Sequence, residues 1–250
     1  MEILWKISEK DIKIVSNFYK KHLNNNFVKY RIEKNIKEVC KKFSQNGFWE
    51  VMVACLLTTQ QRSGPKSYVT KFLCVEPFPL NYNICSKKLD IEKYVERTIT
   101  NFGGLRRGKT IGQEISINYK WLNENGWIKI DKLFNTLQNN STSQNERNFA
   151  KFIMDNLKGF GPKQSRNLLQ GLGITRYEIP IDSRIVRWLN NFGFPIKLSA
   201  TALSDENYYN FIMDGLQQLC KESDIYPCVL DAVIFSSYDQ EEWSIDQLIW

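Results

Sequence analysis

An all-α architecture is what this sequence predicts, on three observations. Most of the chain divides into segments whose apolar residues recur at helical spacing. Hydrophobic residues make up 42% of the 250, enough for a substantial core and too many for a disordered chain. The one stretch that reads equally well as a strand, "VLDAVIFSSY" near the C-terminus, stands among helical segments, which favours helix there too. The length admits one large domain or two small ones.

Taken in order, "DIKIVSNFYKKHL" spaces Ile12, Ile14, Val15, Phe18, Tyr19 and Leu23 roughly along one helical face. "FWEVMVACLL" is apolar enough to be a buried central helix, and "YVERTITNFGG" ends in Gly103-Gly104, a helix stop. "DKLFNTLQ", "ERNFAKFIMDNL", "KQSRNLLQGLG", "DSRIVRWLNNFG" and "NYYNFIMDGLQQLC" fit short amphipathic helices. Loops are expected at "VEPFPLNYN", at the polar stretch 138–145 and at "GFPIKLS". No apolar run approaches the roughly 20 residues of a membrane span. The N-terminus lacks the apolar core and cleavage site of a secretory signal. The expectation is a soluble, intracellular, monomeric protein without a membrane partner.

Charge is unevenly spread. The chain carries +7, but residues 204–250 hold ten acids against Lys221 alone, a net −9, which leaves +16 on residues 1–203. That suggests a polyanion-binding body with an acidic end that faces away from it or caps it. The six cysteines (Cys40, Cys55, Cys74, Cys85, Cys220 and Cys228) have long, irregular gaps, and His22 is the single histidine. Buried, reduced thiols are expected rather than a zinc site.

The most informative stretch is "LKGFGPKQSRNLLQG", residues 157–171. Leu157 closes one helix. Gly159 and Gly161 permit a tight turn, including positive φ. Pro162 suits the first position of a new helix. Backbone N–H groups at such a helix start bind phosphate oxygens, and Lys158, Lys163 and Arg166 add positive charge. An ordinary helix connection would explain one glycine and the proline, but not the second glycine.

"LKGFGPKQS" resembles the helix-hairpin-helix signature of the DNA glycosylase superfamily that includes endonuclease III and 8-oxoguanine DNA glycosylase. "EIPIDSRIVRWL", with Asp182 lying 19 residues after Lys163, is most similar to the 8-oxoguanine branch. "VACLLTTQQRSGP" is similar to the helix and loop that carry the family's DNA-intercalating wedge, and "ITNFGGLRRGKTIGQE" to a turn ahead of the hairpin. The first 40 and last 50 residues match no motif. Iron-bearing members have four closely spaced C-terminal cysteines; only Cys220 and Cys228 lie there, so no iron–sulfur cluster, metal or other cofactor is expected.

The resemblance implies a double-stranded DNA partner and base excision. Cleaving an N-glycosidic bond builds positive charge on the sugar, which a nearby carboxylate stabilises. Asp182 is the candidate, although its position also suits a helix N-cap. Lys163 would attack C1′ and form a Schiff base that permits strand cleavage. A lysine amine is nucleophilic only when neutral, a form the positive end of a helix favours. Read alone, Lys163 is better explained as a phosphate contact or a solvated surface charge. Asn167, four residues on along the same face, lines the family's base pocket or packs near the turn. Arg184 stands where many members have a histidine and is expected on a phosphate. Gln60, with Gln61 and Arg62 beside it, sits where the wedge belongs, or else merely ends a buried helix. Arg106, Arg107 and Lys109 either track phosphates or form a solvated turn. One of Phe235, Tyr238, Trp243 and Trp250 is expected to stack on the flipped base.

The implied architecture is two helical subdomains, a barrel over 45–172 and a second unit from 1–44 plus 173–250, with the hairpin at about 149–171 and a cleft between the units. The implied activity is a bifunctional DNA glycosylase/AP lyase acting on an oxidised purine such as 8-oxoguanine. A monofunctional enzyme, one for another damaged or virus-modified base, and a non-catalytic DNA-binding module are the alternatives.

Overall fold

The apolar run that suggested a buried helix is α3, Gln45–Leu57. Ser44 caps it, its Oγ accepting from Gly47 N at 3.2 Å. Phe48, Trp49 and every residue from Met52 to Leu57 are buried, so the second half of the helix has no polar face and needs cover all round. The short helix α5 (Tyr82–Cys85), α7 (Gly108–Trp121) and α10 (Pro162–Gly171) supply it. Trp49 satisfies its one polar atom by donating Nε1–H to Leu80 O at 2.8 Å. Truncating Phe48 to alanine would cost about 3–5 kcal/mol.

The computed structural model describes residues 4–38, 42–61, 63–238 and 243, and the described residues hold thirteen α-helices and no strand. Cys40, Arg62 and Trp250 lie outside them. Before α3 come α1 (Glu9–His22), closed at its start by a Ser8–Asp11 capping box, and α2 (Asn26–Ile32). After it come α4 (Tyr68–Leu73), α6 (Ile91–Phe102), packed along α7, and α8 (Trp127–Asn139), which follows α7 through a π turn. The ambiguous stretch near the C-terminus is helix, as expected: α13 (Pro227–Tyr238), buried over most of its length. Around it gather α1, α2, α11 (Ser183–Phe192) and α12 (Glu206–Glu222).

Two expectations need correction. The polar stretch 138–145 is mostly helical: α8 continues to Asn139 and α9 (Ser143–Asn156) starts directly after Thr142, whose Oγ1 accepts from Asn145 N at 3.1 Å. Ser, Thr and Asn in a row mark a helix start as readily as a loop. Among the cysteines, Cys55, Cys85, Cys220 and Cys228 are buried, but Cys74 is exposed.

Two fully buried carboxylates fix the segment that leads to Asp182. Glu146 on α9 accepts from the backbone N–H groups of Arg176, Tyr177 and Glu178 at 2.8–2.9 Å. Glu178 accepts from Arg166 Nε at 2.6 Å and Arg147 Nε at 2.8 Å. Arg147 also reaches Asp214 at 2.7 Å, and Lys151 reaches Glu206 at 3.4 Å. Acids of the C-terminal stretch thus cap bases of α9. No helix among the described residues is long and apolar enough to cross a membrane.

Candidate active site

The hairpin joins α9 to α10. Asn118, buried on α7, grips the departing chain at both polar atoms of one residue: it accepts from Lys158 N at 2.7 Å and donates to Lys158 O at 3.0 Å. Gly159 then turns at φ +89, where a Cβ would stand 2.6 Å from Leu56 Cδ2 and 2.9 Å from Glu114 Cδ. Conformation and space both demand glycine there. Gly161 differs from expectation. Its backbone is extended (φ −95, ψ −168), so it needs no glycine for conformation. An added Cβ would meet nothing within 4 Å, so the missing side chain serves to leave the turn surface bare. No side chain caps α10, and Pro162 at its start has no N–H. Ser165 N already donates to Gly161 O at 3.0 Å, and the N–H groups of Lys163 and Gln164, which have no carbonyl ahead of them in the helix, are left for an anion if one binds.

Arg166 is a correction. It was expected to add charge around the turn, yet it is 1% exposed. Besides Glu178 it donates to Pro162 O at 3.0 Å and Asn210 Oδ1 at 2.9 Å, and its guanidinium lies 4.5 Å from the centre of the Tyr209 ring. A guanidinium buried with a carboxylate is held there by the cost of separating them. It braces the hairpin helix and cannot reach a phosphate.

Lys163, in the first turn of α10, is half-buried, and among the described residues its ammonium has neither an ion pair nor a hydrogen bond. Two groups sense its charge. One is Cys55, whose thiol burial pushes up to about 12 while Lys163 and Asn167 pull the other way. The other is Asp182. Gln164 pins this turn to the end of α3, donating Nε2–H to Cys55 O at 2.9 Å and Thr59 Oγ1 at 2.8 Å. Asn167 donates to Cys55 Sγ at 3.4 Å and to Gln164 Oε1 at 3.2 Å.

Asp182 is the N-cap of α11, its Oδ1 accepting from Arg184 N at 2.8 Å and Ile185 N at 3.2 Å. Its Oδ2 accepts from Arg184 Nε at 2.9 Å and Nη2 at 2.8 Å. Burial pushes the carboxyl up, but the Arg184 guanidinium, then the Lys163 ammonium, hold it below the usual carboxylate range. Asp182 is therefore ionised at neutral pH. Arg184, expected on a phosphate, instead turns inward: it chelates Asp182 and lies 3.9 Å from the centre of the Phe235 ring.

That contact bears on the stacking aromatic. Phe235 is stacked on Phe27 at 4.7 Å as well as carrying Arg184, and Trp243, 3% exposed, packs against both phenylalanines. Trp243 is a core residue, whereas Phe235 is partly buried and packs against the core. Tyr238 lies beside Arg187, 5.5 Å from its ring centre.

At the far end of α3, Gln60 is exposed with φ +60. Gln61 is tied down: its amide donates to Leu57 O, and its Oε1 accepts from Arg106 N at 3.0 Å. Of the two, only Gln60 stands free at the tip. Arg107 turns inward to Glu114 at 3.0 Å, whereas Arg106 and Lys109 are exposed. Sequence reasoning missed Gln164, Cys55 and Glu178, whose partners are distant in the chain and leave no local pattern. Among the described residues no three His, Cys, Asp or Glu side chains converge on a point that could hold a metal. A cavity of about 1020 Å³ lies elsewhere, lined by Trp5, Tyr177, Phe211 and Asp214 among others; neither Lys163 nor Asp182 lines it.

No family model matches the sequence, and no curated protein does. Solved structures do match. Methanocaldococcus jannaschii 8-oxoguanine DNA glycosylase superposes with a TM-score of 0.69 at 18% identity, covering 94% of this chain and 98% of that one. The chain has the fold of an 8-oxoguanine DNA glycosylase. The same archaeon's 8-oxoguanine glycosylase/lyase, in complex with DNA containing 8-oxoguanine, gives 0.69 at 17% identity, covering 92% of this chain and 100% of that one. The Thermotoga maritima 8-oxoguanine DNA glycosylase gives 0.67 at 14% identity, covering 94% and 99%.

Proposed function

We propose that this protein is a bifunctional DNA glycosylase/AP lyase that acts as a monomer on double-stranded DNA and excises an oxidised purine such as 8-oxoguanine. One observation carries the reading: Lys163, without an ion partner among the described residues, lies close enough to Asp182 for its positive charge to help hold that carboxyl below the usual range. Both sit at helix starts, Lys163 on the hairpin and Asp182 on α11. The solved structures with this fold that are named as 8-oxoguanine glycosylases add support.

In this reading the hairpin N–H groups hold a backbone phosphate. The target nucleotide leaves the stack, and Gln60 enters the gap. The neutral amine of Lys163 attacks C1′. The C1′–N bond breaks, its electron pair leaves with the base, and the base gains a proton. Asp182 offsets the positive charge that the sugar carries in that transition state. Ring opening gives the Schiff base, from which loss of a C2′ proton expels the 3′ phosphate. Arg184 occupies the Asp182 carboxylate, and Lys163 makes no ion pair among the described residues. Asn167 keeps its Oδ1 for a base edge. The helices packed on α3 are read as the barrel subdomain over 45–172, those packed on α13 as the second subdomain from 1–44 plus 173–250, and the cleft between them as the site.

The test is base release from duplexes containing 8-oxoguanine, thymine glycol or uracil, analysed with and without alkali. Strand cleavage without alkali on the 8-oxoguanine duplex is expected. Release that needs alkali would mean a monofunctional enzyme. Tight binding without release from any duplex would favour the non-catalytic module.

A further inference from the structure

We propose, on the glycosylase reading above, that Tyr68 is a stacking platform for the unpaired base of the undamaged strand. Three turns meet at one edge of the molecule. Gln61 joins the turn after α3 to the turn between α6 and α7 through Arg106 N. Arg107 and Glu114 join that second turn to the hairpin: the two side chains pair, and the Glu114 carboxyl packs against Gly159.

Tyr68 is attached to the same second turn. It opens α4, it is 56% exposed, and Gly104 backs its ring. A Cβ on Gly104 would stand 2.4–2.6 Å from Tyr68 Cδ1, Cγ and Cε1, and the glycine turns at φ +73. No residue with a side chain fits that position, so the turn seats the ring while leaving more than half of the residue open. An aromatic residue serving only the core would be covered on all sides, like Phe72 four residues on, which is 1% exposed.

The surroundings select a nucleic acid. Residues 51–75 contain no acid and carry Arg62, Lys66 and Lys71; residues 97–113 contain no acid and carry Arg97, Arg106, Arg107 and Lys109. Lys71 Nζ stands 5.4 Å from the Tyr68 ring centre, and Arg106 and Lys109 are exposed. Cations flanking an open aromatic ring make a surface that follows a phosphate backbone and stacks a base of any identity. When the damaged nucleotide leaves the duplex and Gln60 takes its place, its former partner loses both its pair and one stacking neighbour. Tyr68, linked to Gln60 through Gln61, Arg106 and Gly104, offers that base a face.

The experiment uses the full chain and a duplex holding a tetrahydrofuran abasic-site analogue opposite 2-aminopurine, whose fluorescence falls when it stacks. Wild type should bind this duplex in preference to the intact one and quench the probe. Tyr68→Ala should lose the quenching and bind about 10-fold more weakly, with an unchanged melting temperature because the ring is exposed. Tyr68→Phe should restore both. Quenching and affinity in Tyr68→Ala equal to wild type would overturn the platform and leave the glycosylase reading standing. No wild-type preference for the abasic duplex would overturn both.

Discussion

Two cations on one helix meet opposite fates. Arg166 and Lys163 are less than a turn apart on α10, yet Arg166 is sealed against Glu178, Asn210 and Tyr209, while Lys163 has no ion-pair partner among the described residues. The difference teaches how one short helix serves two ends. Its inner face is wired at Gln164, Arg166 and Gln170, the last donating to buried Asp231 at 2.7 Å. That wiring fixes the first turn so closely that an uncommitted amine can be held there. Arginine suits the brace because its guanidinium serves several acceptors at once; lysine suits the open position because it can lose its proton.

The sharpest way to break this comparison is at Asp182, the carboxylate that the Lys163 charge helps to hold below its usual range. Asp182→Asn should lower base excision by about 10²–10³-fold. Asparagine caps a helix nearly as well as aspartate, so stability should change by less than about 1 kcal/mol. A matched loss of stability in thermal melts would mean Asp182 is only a cap. Next in size is the brace itself. Arg166→Ala should cost about 3 kcal/mol of stability by leaving Glu178 with fewer partners, read from urea denaturation, and duplex binding measured well below the melting temperature should persist. Loss of binding without loss of stability would return Arg166 to the DNA interface. Smaller again is Gln164→Ala, which frees the first turn from α3 and should cost about 1–2 kcal/mol while slowing excision more than it weakens binding.

Much of this was legible in the sequence, and the exceptions share a cause. The buried α3, the Gly159 turn, Pro162 at a helix start and Asp182 before α11 follow from local rules of periodicity, φ preference and capping. Arg166 did not: its partner Glu178 lies across an irregular segment, and nothing local separates a buried arginine from a phosphate contact. The neighbours of Phe235 leave no local signal either: Phe27 and Arg184, which lie against its ring, are both far away in sequence. The pairing of Arg184 with Asp182 is hidden for the same reason, since a side chain two residues past an N-cap can fold back onto the cap or reach outward. Gly161 illustrates the reverse: the residue type was read correctly, but its reason is open space rather than conformation.

The smallest effect concerns Glu146, which anchors the segment leading to Asp182. Burial pushes its carboxyl up to about 7 from 4.5, against the pull of its three backbone N–H partners and Ser141. An acid with a raised folded-state pKa adds stability that is complete below its unfolded value and is lost as pH rises through the folded value. Its contribution should therefore decline between about pH 4.5 and 7, and Glu146→Gln should flatten that part of the stability profile. An unchanged slope in the variant would show that Glu146 ionises normally.

The central claim is that Lys163 is the amine that attacks C1′, and borohydride trapping on a duplex containing 8-oxoguanine tests it most directly. Wild type should give a covalent protein–DNA adduct, and Lys163→Gln should give none while still binding the duplex. An adduct of equal yield in Lys163→Gln, or base release by wild type with no adduct at all, would contradict it.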